Sequence, residues 1–334
     1  MVPELASRQH VRDICGVVEE ALRRAEATLE DIGAIAVTQG PGLVGSLLVG
    51  VSYAKSLAWA LNVPVVPVHH LAGHIESLVL AHGELPLPAA VLVVSGGHTS
   101  LYLVSEPGTY QLIGRTRDDA AGEAYDKVAK LLGLGYPGGP IVDRLAREGN
   151  ERAWDFPAAR LTHADRNDPR PSGEGVLPAH VARKTDFSFS GLKTAVLRVV
   201  RERTGQAAGG TAVKQSMGPA GAADGAGAAL SRPEIADICA SFQRVVIESL
   251  LDRTFEAARW VHARSIGIAG GVSANSRLRS EAGARAVKTG IPVFVPPLAL
   301  STDNAAMIGA AGLRRLRAGH VGSLDFNAEA SLSL

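Results

Sequence analysis

Three glycine-rich turns, each placed directly after a short β-branched run, constrain this chain more than any other feature. They are Gly40-Pro41-Gly42-Leu43-Val44-Gly45, Val93-Val94-Ser95-Gly96-Gly97-His98-Thr99 and Ile268-Ala269-Gly270-Gly271-Val272-Ser273-Ala274-Asn275. Glycine turns at strand ends expose backbone N–H groups to anions, phosphate above all. Residues 34–38 read as a buried strand feeding the first turn, 46–61 as a helix, 63–68 as a second strand, and a helix carrying His70 and His74 follows. This strand–turn–helix–strand rhythm argues an α/β fold. Residues 89–94 and 99–104 flank the second turn like a hairpin, and 110–115 add a third strand. Helices are expected around 123–134, 140–148, 190–203, 233–263, 274–289 and 303–317, with strands at 265–269 and 293–295. At the start of the chain, Ser7 reads as the cap of a helix with apolar positions from Val11 to Leu29.

The 334 residues suit two domains, and 46% apolar content is enough for two cores. Aromatic residues are only 4%, so Ala, Val and Leu must fill the interior. Cys15 and Cys239 make no disulfide framework, which fits a reducing cytosol with both as small buried apolar residues. No segment reads as a membrane span or secretory leader. A net charge of +1 means that any nucleic-acid binding rests on a local basic patch. Residues 151–186, polar and Pro-containing, read as loop or an irregular lobe, and 204–230, rich in Gly and Ala, as a flexible insertion unable to bury a core.

His70 and His74, at i and i+4, share a helix face and can grip one metal ion, whereas a lone histidine is usually structural. The residue after His70 is Leu71 rather than the glutamate that zinc proteases use to activate water, so a peptidase reading is weak. A third ligand is needed. Asp303 is a candidate, although its place at a helix start equally suits an N-cap, the reading that spacing alone favours. Gly96-Gly97 can be a plain hairpin turn. Asn275 can bond a ribose or base edge, or serve as a cap. Glu123 and Asp126 share a helix face that Asp119 can border. Next come the stiff turn Tyr136-Pro137-Gly138-Gly139-Pro140 and then Asp143. Such acids can hold ribose hydroxyls or a metal–phosphate group, or simply be solvated. Arg183, Lys184, Lys193, Arg198, Arg201 and Arg203 face only Asp186 and Glu202, and Phe187 and Phe189 lie among them. Basic and aromatic residues together suit unpaired RNA bases but are common on ordinary surfaces too.

Taken in order, these motifs closely resemble the bacterial tRNA threonylcarbamoyladenosine transferase family. They are Val2-Pro3-Glu4-Leu5-Ala6-Ser7-Arg8, Gln39-Gly40-Pro41-Gly42, His70-x-x-x-His74, Ser95-Gly96-Gly97-His98-Thr99, Gly122-Glu123-Ala124-Tyr125-Asp126-Lys127, Tyr136-Pro137-Gly138-Gly139-Pro140, Phe189-Ser190-Gly191-Leu192-Lys193-Thr194, Gly270-Gly271-Val272-Ser273-Ala274-Asn275 and Thr302-Asp303-Asn304. The resemblance implies an α/β fold of two actin-like ATPase (ribonuclease H-like) lobes around a nucleotide cleft. The first lobe would be residues 1–92 completed by 301–334, and the second 93–300. It implies transfer of a threonylcarbamoyl group from threonylcarbamoyl-AMP to the exocyclic amine of the adenine beside the anticodon, releasing AMP. Carried over, His70, His74 and Asp303 are ligands of one metal, iron(II) in family terms, with zinc as the other candidate. Val93, Val94, Ser95, Gly96 and Gly97 become the turn against the substrate phosphate, and Asp126, Gly139, Asp143 and Asn275 the nucleotide-contacting set. Implied partners are tRNA, a smaller paralogous actin-like protein and a P-loop ATPase, in the cytoplasm and without a membrane.

The family's first lobe opens with a β-hairpin bearing a phosphate loop. Met1-Val2-Pro3-Glu4-Leu5 resembles the segment after it. The reading therefore expects that hairpin to be absent, through a late start site or a truncation, and an extended form to be more stable and active. Two other functions stay open at this point. One is an actin-like kinase or ATPase, which would release ADP rather than AMP. The other is a scaffold that binds the paralogous partner without turnover.

Overall fold

The computed structural model describes residues 3–157, 176–178, 184–204 and 230–334. The expected insertion at 204–230 falls outside them save for its two end residues, as do Arg183 and most of the loop expected at 151–186. The chain forms two compact units, one of Met1–Leu85, Val104–Gln111 and Leu298–Leu334, the other of Pro86–Leu103 and Leu112–Pro297. The strand Ala89–Val94 thus lies wholly in the second unit, whereas the lobe boundary read from the sequence cuts through it.

The first unit runs α1 (Pro3–Arg24), β1 (Ile35–Gly40), α2 (Val44–Leu61), β2 (Val65–His69) and α3 (His70–His82), and returns at α9 (Leu298–Ser301) and α10 (Ala305–Arg317). β1 and β2 pair in parallel from Ile35↔Val65 to Thr38↔Val68. Alternate β2 side chains feed two small cores. Val65 packs with Ala54 and Ala58 of α2, while Val66 and Val68 pack with Ala311 of α10. The first helix begins at Pro3 rather than after Ser7. Proline is tolerated in a first turn because its missing N–H would be unpaired there anyway. The Ser7 hydroxyl donates back to the Glu4 carbonyl at 3.1 Å, inside the helix. Cys15 on this helix is exposed, not buried as expected. α2 is long and apolar enough to cross a membrane by length and composition, with mean hydropathy 1.3, which the sequence reading did not anticipate. Its small residues Val51, Ala54 and Ala58 are buried, and the helix packs on β1 and α1.

The second unit holds most of a five-stranded sheet in the order β5-β4-β3-β6-β7, with β3, β6 and β7 wholly within it. Its strands are β3 (Ala89–Val94), β4 (Thr99–Glu106), β5 (Thr109–Arg115), β6 (Ser265–Ala269) and β7 (Val293–Phe294). β3 and β6 pair in parallel from Ala89↔Ser265 to Val93↔Ala269, and every residue of both is buried. Such continuous apolar runs are what a covered parallel sheet needs. The helices are α4 (Ala121–Leu131), α5 (Gly138–Ala146), α6 (Ser190–Thr204), α7 (Arg232–Trp260) and α8 (Ser276–Thr289). α7 starts in a capping box between Ser231 and Glu234. It runs through the core beside Leu92, Tyr125 and Phe187 and packs on α5, α6, α8 and β3. Cys239 on α7 is buried, and burial pushes its thiol up to about 12, so it is inert at neutral pH.

Pairing β3 with β6 brings their following turns side by side. Gly270, with φ at +92°, is where they touch, since a Cβ there would strike the Val94 carbonyl. Gly270→Ala is therefore expected to lose about 1–3 kcal/mol from backbone strain alone, more with the contact, measured as a lower urea midpoint at unchanged m.

Candidate metal centre and nucleotide-binding turns

His70 and His74 stand on the first turns of α3, directly after β2. Asp303 precedes α10, and its Oδ1 lies 3.6 Å from His70 Nε2 and 3.2 Å from His74 Nε2. One ligand atom from each of the three comes within 4.8 Å of the others. The His74 side chain is fully buried, and neither of its ring nitrogens has a hydrogen-bond partner among the described residues. Asp303 Oδ1 is close to Nε2 but not aligned for a hydrogen bond. Two imidazoles and a carboxylate converging on one point, one of them buried with lone-pair capacity unspent, fit a divalent ion.

The neighbouring His69 behaves differently. Its Nδ1 accepts from the Leu71 N–H at 3.1 Å, so Nε2 carries the proton and donates to the Leu332 carbonyl at 3.0 Å. It caps α3 and holds the C-terminal tail. The helix-start reading of Asp303 is corrected too. Asn304 is the cap of α10, its Oδ1 accepting from Met307 N–H at 2.9 Å while its Nδ2 donates to the Thr302 carbonyl at 2.8 Å. That leaves the Asp303 carboxylate turned to the imidazoles.

The helices that carry this site are pinned together. Gly73, between the two histidines, lets α10 come close, and a Cβ there would lie 2.8 Å from Ile308 Cδ1. Glu76, one turn on, is 3% exposed and accepts from the Tyr110 hydroxyl and from Arg314 Nε, both at 2.8 Å. Burial raises the Glu76 pKa above the ordinary carboxylate range. The same Arg314 reaches Glu84, two residues past the end of α3, at 2.8 Å, and so ties α10 to α3 and to the segment that follows it.

In the second unit, the Ser95–His98 turn is stapled by its own groups. Ser95 N–H donates to the His98 carbonyl at 2.8 Å, and His98 N–H donates to Ser95 Oγ at 3.2 Å. Val93 and Val94 are buried strand, while Gly96 and Gly97 are exposed, with nothing near where a Cβ would stand. These two glycines lie just past the C-terminal end of a parallel strand, where α/β folds bind ligands. Asp126 Oδ1 accepts from Gly138 N–H at 2.7 Å and so fixes the start of α5, while Gly139 beside it is open. Asp143 and Asn275 are engaged within the protein. Asp143 accepts from Ser276 Oγ at 2.8 Å, Arg147 Nη2 at 3.0 Å and Gln243 Nε2 at 3.2 Å. Asn275 caps α8 by accepting from Leu278 N–H at 3.0 Å and donates Nδ2 to Gln243 Oε1 at 2.8 Å. Its cap role, one of two alternatives, is realised.

Two groupings read from sequence do not form. Asp119 and Glu123 pair with Lys127 at 2.5 and 3.0 Å, and Asp126 turns away from them. Phe187 and Phe189 are buried against each other, with centroids 6.3 Å apart, and are unavailable to bases. Asp186 is buried and paired with Arg117, so it does not offset the basic residues of α6. The α6 N-terminus is instead capped by Asp118, which accepts from Ser188 Oγ at 2.5 Å, Ser190 Oγ at 2.7 Å and Phe189 N–H at 2.7 Å. Lys193, Arg198 and Arg201 are exposed on that helix. Gln243, Asn304 and Ser276 are contributors that the sequence reading passed over.

The sequence pattern of the tRNA N6-adenosine threonylcarbamoyltransferase family matches residues 1–310. The tRNA N6-adenosine threonylcarbamoyltransferase of Koribacter versatilis is 48% identical over all of this chain and 88% of its own length. That of Moorella thermoacetica is 47% identical over all of this chain and 85% of its own. Among solved structures, full-length HypF in a phosphate- and nucleotide-bound form superposes with a TM-score of 0.56 at 13% identity, over 90% of this chain and 49% of that one. At that identity the likeness concerns the fold, which is the α/β fold of the actin-like ATPases.

The division of labour between neighbours is measurable. Asn304→Ala is expected to cost about 1 kcal/mol through loss of the cap. Asp303→Ala should cost less than about 0.5 kcal/mol, as for an exposed residue without such a role, when the two are compared by urea denaturation of metal-free protein.

Proposed function

Because the chain belongs to the tRNA N6-adenosine threonylcarbamoyltransferase family and is a transferase acting on tRNA, we propose that its donor is threonylcarbamoyl-AMP. The acceptor is the exocyclic amine of the adenine beside the anticodon, in tRNAs that read codons beginning with adenine. The observation that carries this reading is the convergence of His70, His74 and Asp303 with the buried His74 ring unsatisfied. These three residues are the proposed metal ligands, and two imidazoles with one carboxylate suit iron(II), with zinc the other candidate. When bound, such an ion supplies positive charge that polarises a carbonyl or phosphoryl oxygen.

The donor is a mixed carboxylic–phosphoric anhydride. Attack by the amine nitrogen on the carbamoyl carbon forms the new C–N bond, breaks the C–O bond to phosphate, and releases AMP and a proton. The proposed site for phosphate or developing oxyanion charge is the backbone of the exposed Gly96 and Gly97, at the end of Val93-Val94-Ser95. Asp126 holds the Gly138-Gly139 turn, and Asp143 and Asn275 hold the first turn of α8. Asp126, Gly139, Asp143 and Asn275 are the proposed nucleotide-contacting set. Adenine's amine is a poor nucleophile, so holding both substrates in register supplies much of the rate. Lys193, Arg198 and Arg201 offer a basic helix face to tRNA phosphates. The proposed partners are a smaller paralogous actin-like protein and a P-loop ATPase, and the proposed location is the cytoplasm.

Three measurements test this reading. His70→Ala, His74→Ala and Asp303→Ala should each lose stoichiometric metal by elemental analysis, and should lose the modified nucleoside by mass spectrometry of tRNA incubated with threonine, bicarbonate, ATP and the partner proteins. His69→Ala should keep its metal. Unchanged metal content in all three variants would remove these ligands from the mechanism. Replacing Lys193 and Arg201 together by Glu should weaken tRNA binding and lower the slope of log affinity against log salt by about 2, read by filter binding.

A further inference from the structure

Gln243 sits in the middle of α7, 3% exposed, in the run Cys239-Ala240-Ser241-Phe242-Gln243-Arg244-Val245. Its amide makes three contacts, each to a different element of the second unit. Oε1 accepts from Asn275 Nδ2 at 2.8 Å and from the Tyr125 hydroxyl at 3.4 Å, and Nε2 donates to Asp143 Oδ1 at 3.2 Å. Tyr125 is on α4, next to Asp126. Asp143 is on α5, one turn past Gly139. Asn275 ends the Gly270 turn and starts α8. Every side chain in the proposed nucleotide set is thus bound by this amide or stands next to a residue that is.

We propose that Gln243 is a positioning residue for nucleotide binding, acting through Asn275, Asp143 and Tyr125 to fix the three turn-bearing elements at one point. The inference rests on the nucleotide reading given above.

The contacts demand this residue type. One end of the side chain must accept and the other donate, and only a primary amide of this length does both here without charge. A leucine would leave Asn275 Nδ2 and one Asp143 lone pair without this partner at a nearly dry point, the costly way to break a hydrogen bond. A glutamate would set a second carboxylate against Asp143. The fold has other holds on the same residues. Ser276 and Arg147 still bind Asp143, and Leu278 N–H still binds Asn275. Removing the amide therefore frees the orientation of two side chains while the caps and helices stay in place.

The charged and titratable groups around this point are Asp143 on α5, Arg147 just past its end, Tyr125 on α4, Cys239 on α7, and Arg277 and Glu281 on α8. Burial, with Asp143 nearby, holds the Tyr125 phenol well above its ordinary pKa, so it stays a hydrogen-bond donor across neutral pH.

The test is calorimetric titration of the full chain with AMP, each variant first shown folded by its thermal melt. Gln243→Leu and Asn275→Ala should each weaken AMP binding by about tenfold, the scale of one buried hydrogen bond. The double variant should be no worse than about twofold beyond the weaker single, because both act on one arrangement. Gln243→Glu serves if the leucine variant does not fold. Its affinity should rise toward wild type as pH falls from about 8 to 6, since a protonated carboxyl donates to Asp143 as the amide does, while wild type changes little. Gln243→Leu binding AMP as tightly as wild type, purely additive losses in the double variant, or a Gln243→Glu profile parallel to wild type would overturn the inference alone. Failure of wild type to bind AMP, or unchanged binding in both Asn275→Ala and Asp143→Ala, would overturn the nucleotide reading and this inference with it.

Discussion

Parallel pairing of β3 with β6 is the constraint on which the second unit depends. Both strands are buried along their whole length and run the same way, so their C-terminal ends emerge together. The chain must turn at that edge twice, within contact distance. Gly270 is required because Val94's carbonyl occupies the space that a side chain would need. Once the turns are fixed, the helices follow from them. α4 begins where Ala121 N–H donates to Thr99 Oγ1 and Gly122 N–H to the Ser95 carbonyl, at 2.9 and 3.2 Å. α8 begins where the Gly270 turn ends in Asn275. The exposed glycines at this edge are a consequence of the strand pairing rather than a separate invention.

Elements fixed by local pattern were legible in the sequence. The strand at 265–269 needs only its β-branched alternation and the double glycine after it, and the structure has the same bounds. Ends set by capping were harder, because neighbouring residues compete for one role. Asp303 and Asn304 are both good caps by chemistry. Only the backbone, which puts Asn304 in the extended conformation one residue before α10, decides between them. The start of α1 went wrong in the same way. Ser7 looks like a cap, yet nothing in the preceding Pro3-Glu4-Leu5-Ala6 stops a helix, and the serine is drawn inside it.

Contacts made at long range were not legible. Gln243 is separated by 100 residues from Asp143 and by 32 from Asn275. Its one local signal is an uncharged polar residue on an otherwise apolar face of a long helix, and such a residue needs a buried partner. Phe187 and Phe189 show the opposite error. Their place among basic residues suggested an RNA-stacking surface, but composition does not say which way a side chain points. The bridge of Phe187 to Thr116 turns this strip inward, leaving only the charges of α6 outside.

The histidines of the β2–α3 junction show how structure separates ligand from scaffold where sequence does not. Three imidazoles lie within six residues. His69 commits both nitrogens to backbone groups, so its ring is a cap and a tether. His74 is fully buried and commits neither nitrogen to a hydrogen bond among the described residues. An unsatisfied buried polar group costs about 1–3 kcal/mol. A fold that clamps these two helices with a buried Glu76–Arg314 ion pair and a glycine at their crossing, and still leaves such a ring facing Asp303, is carrying a local cost. A divalent ion would offset that cost, since it takes the lone pair that no donor among the described residues takes. This asymmetry between His69 and His74, more than their spacing, is the physical ground for proposing His70, His74 and Asp303 as the ligand set.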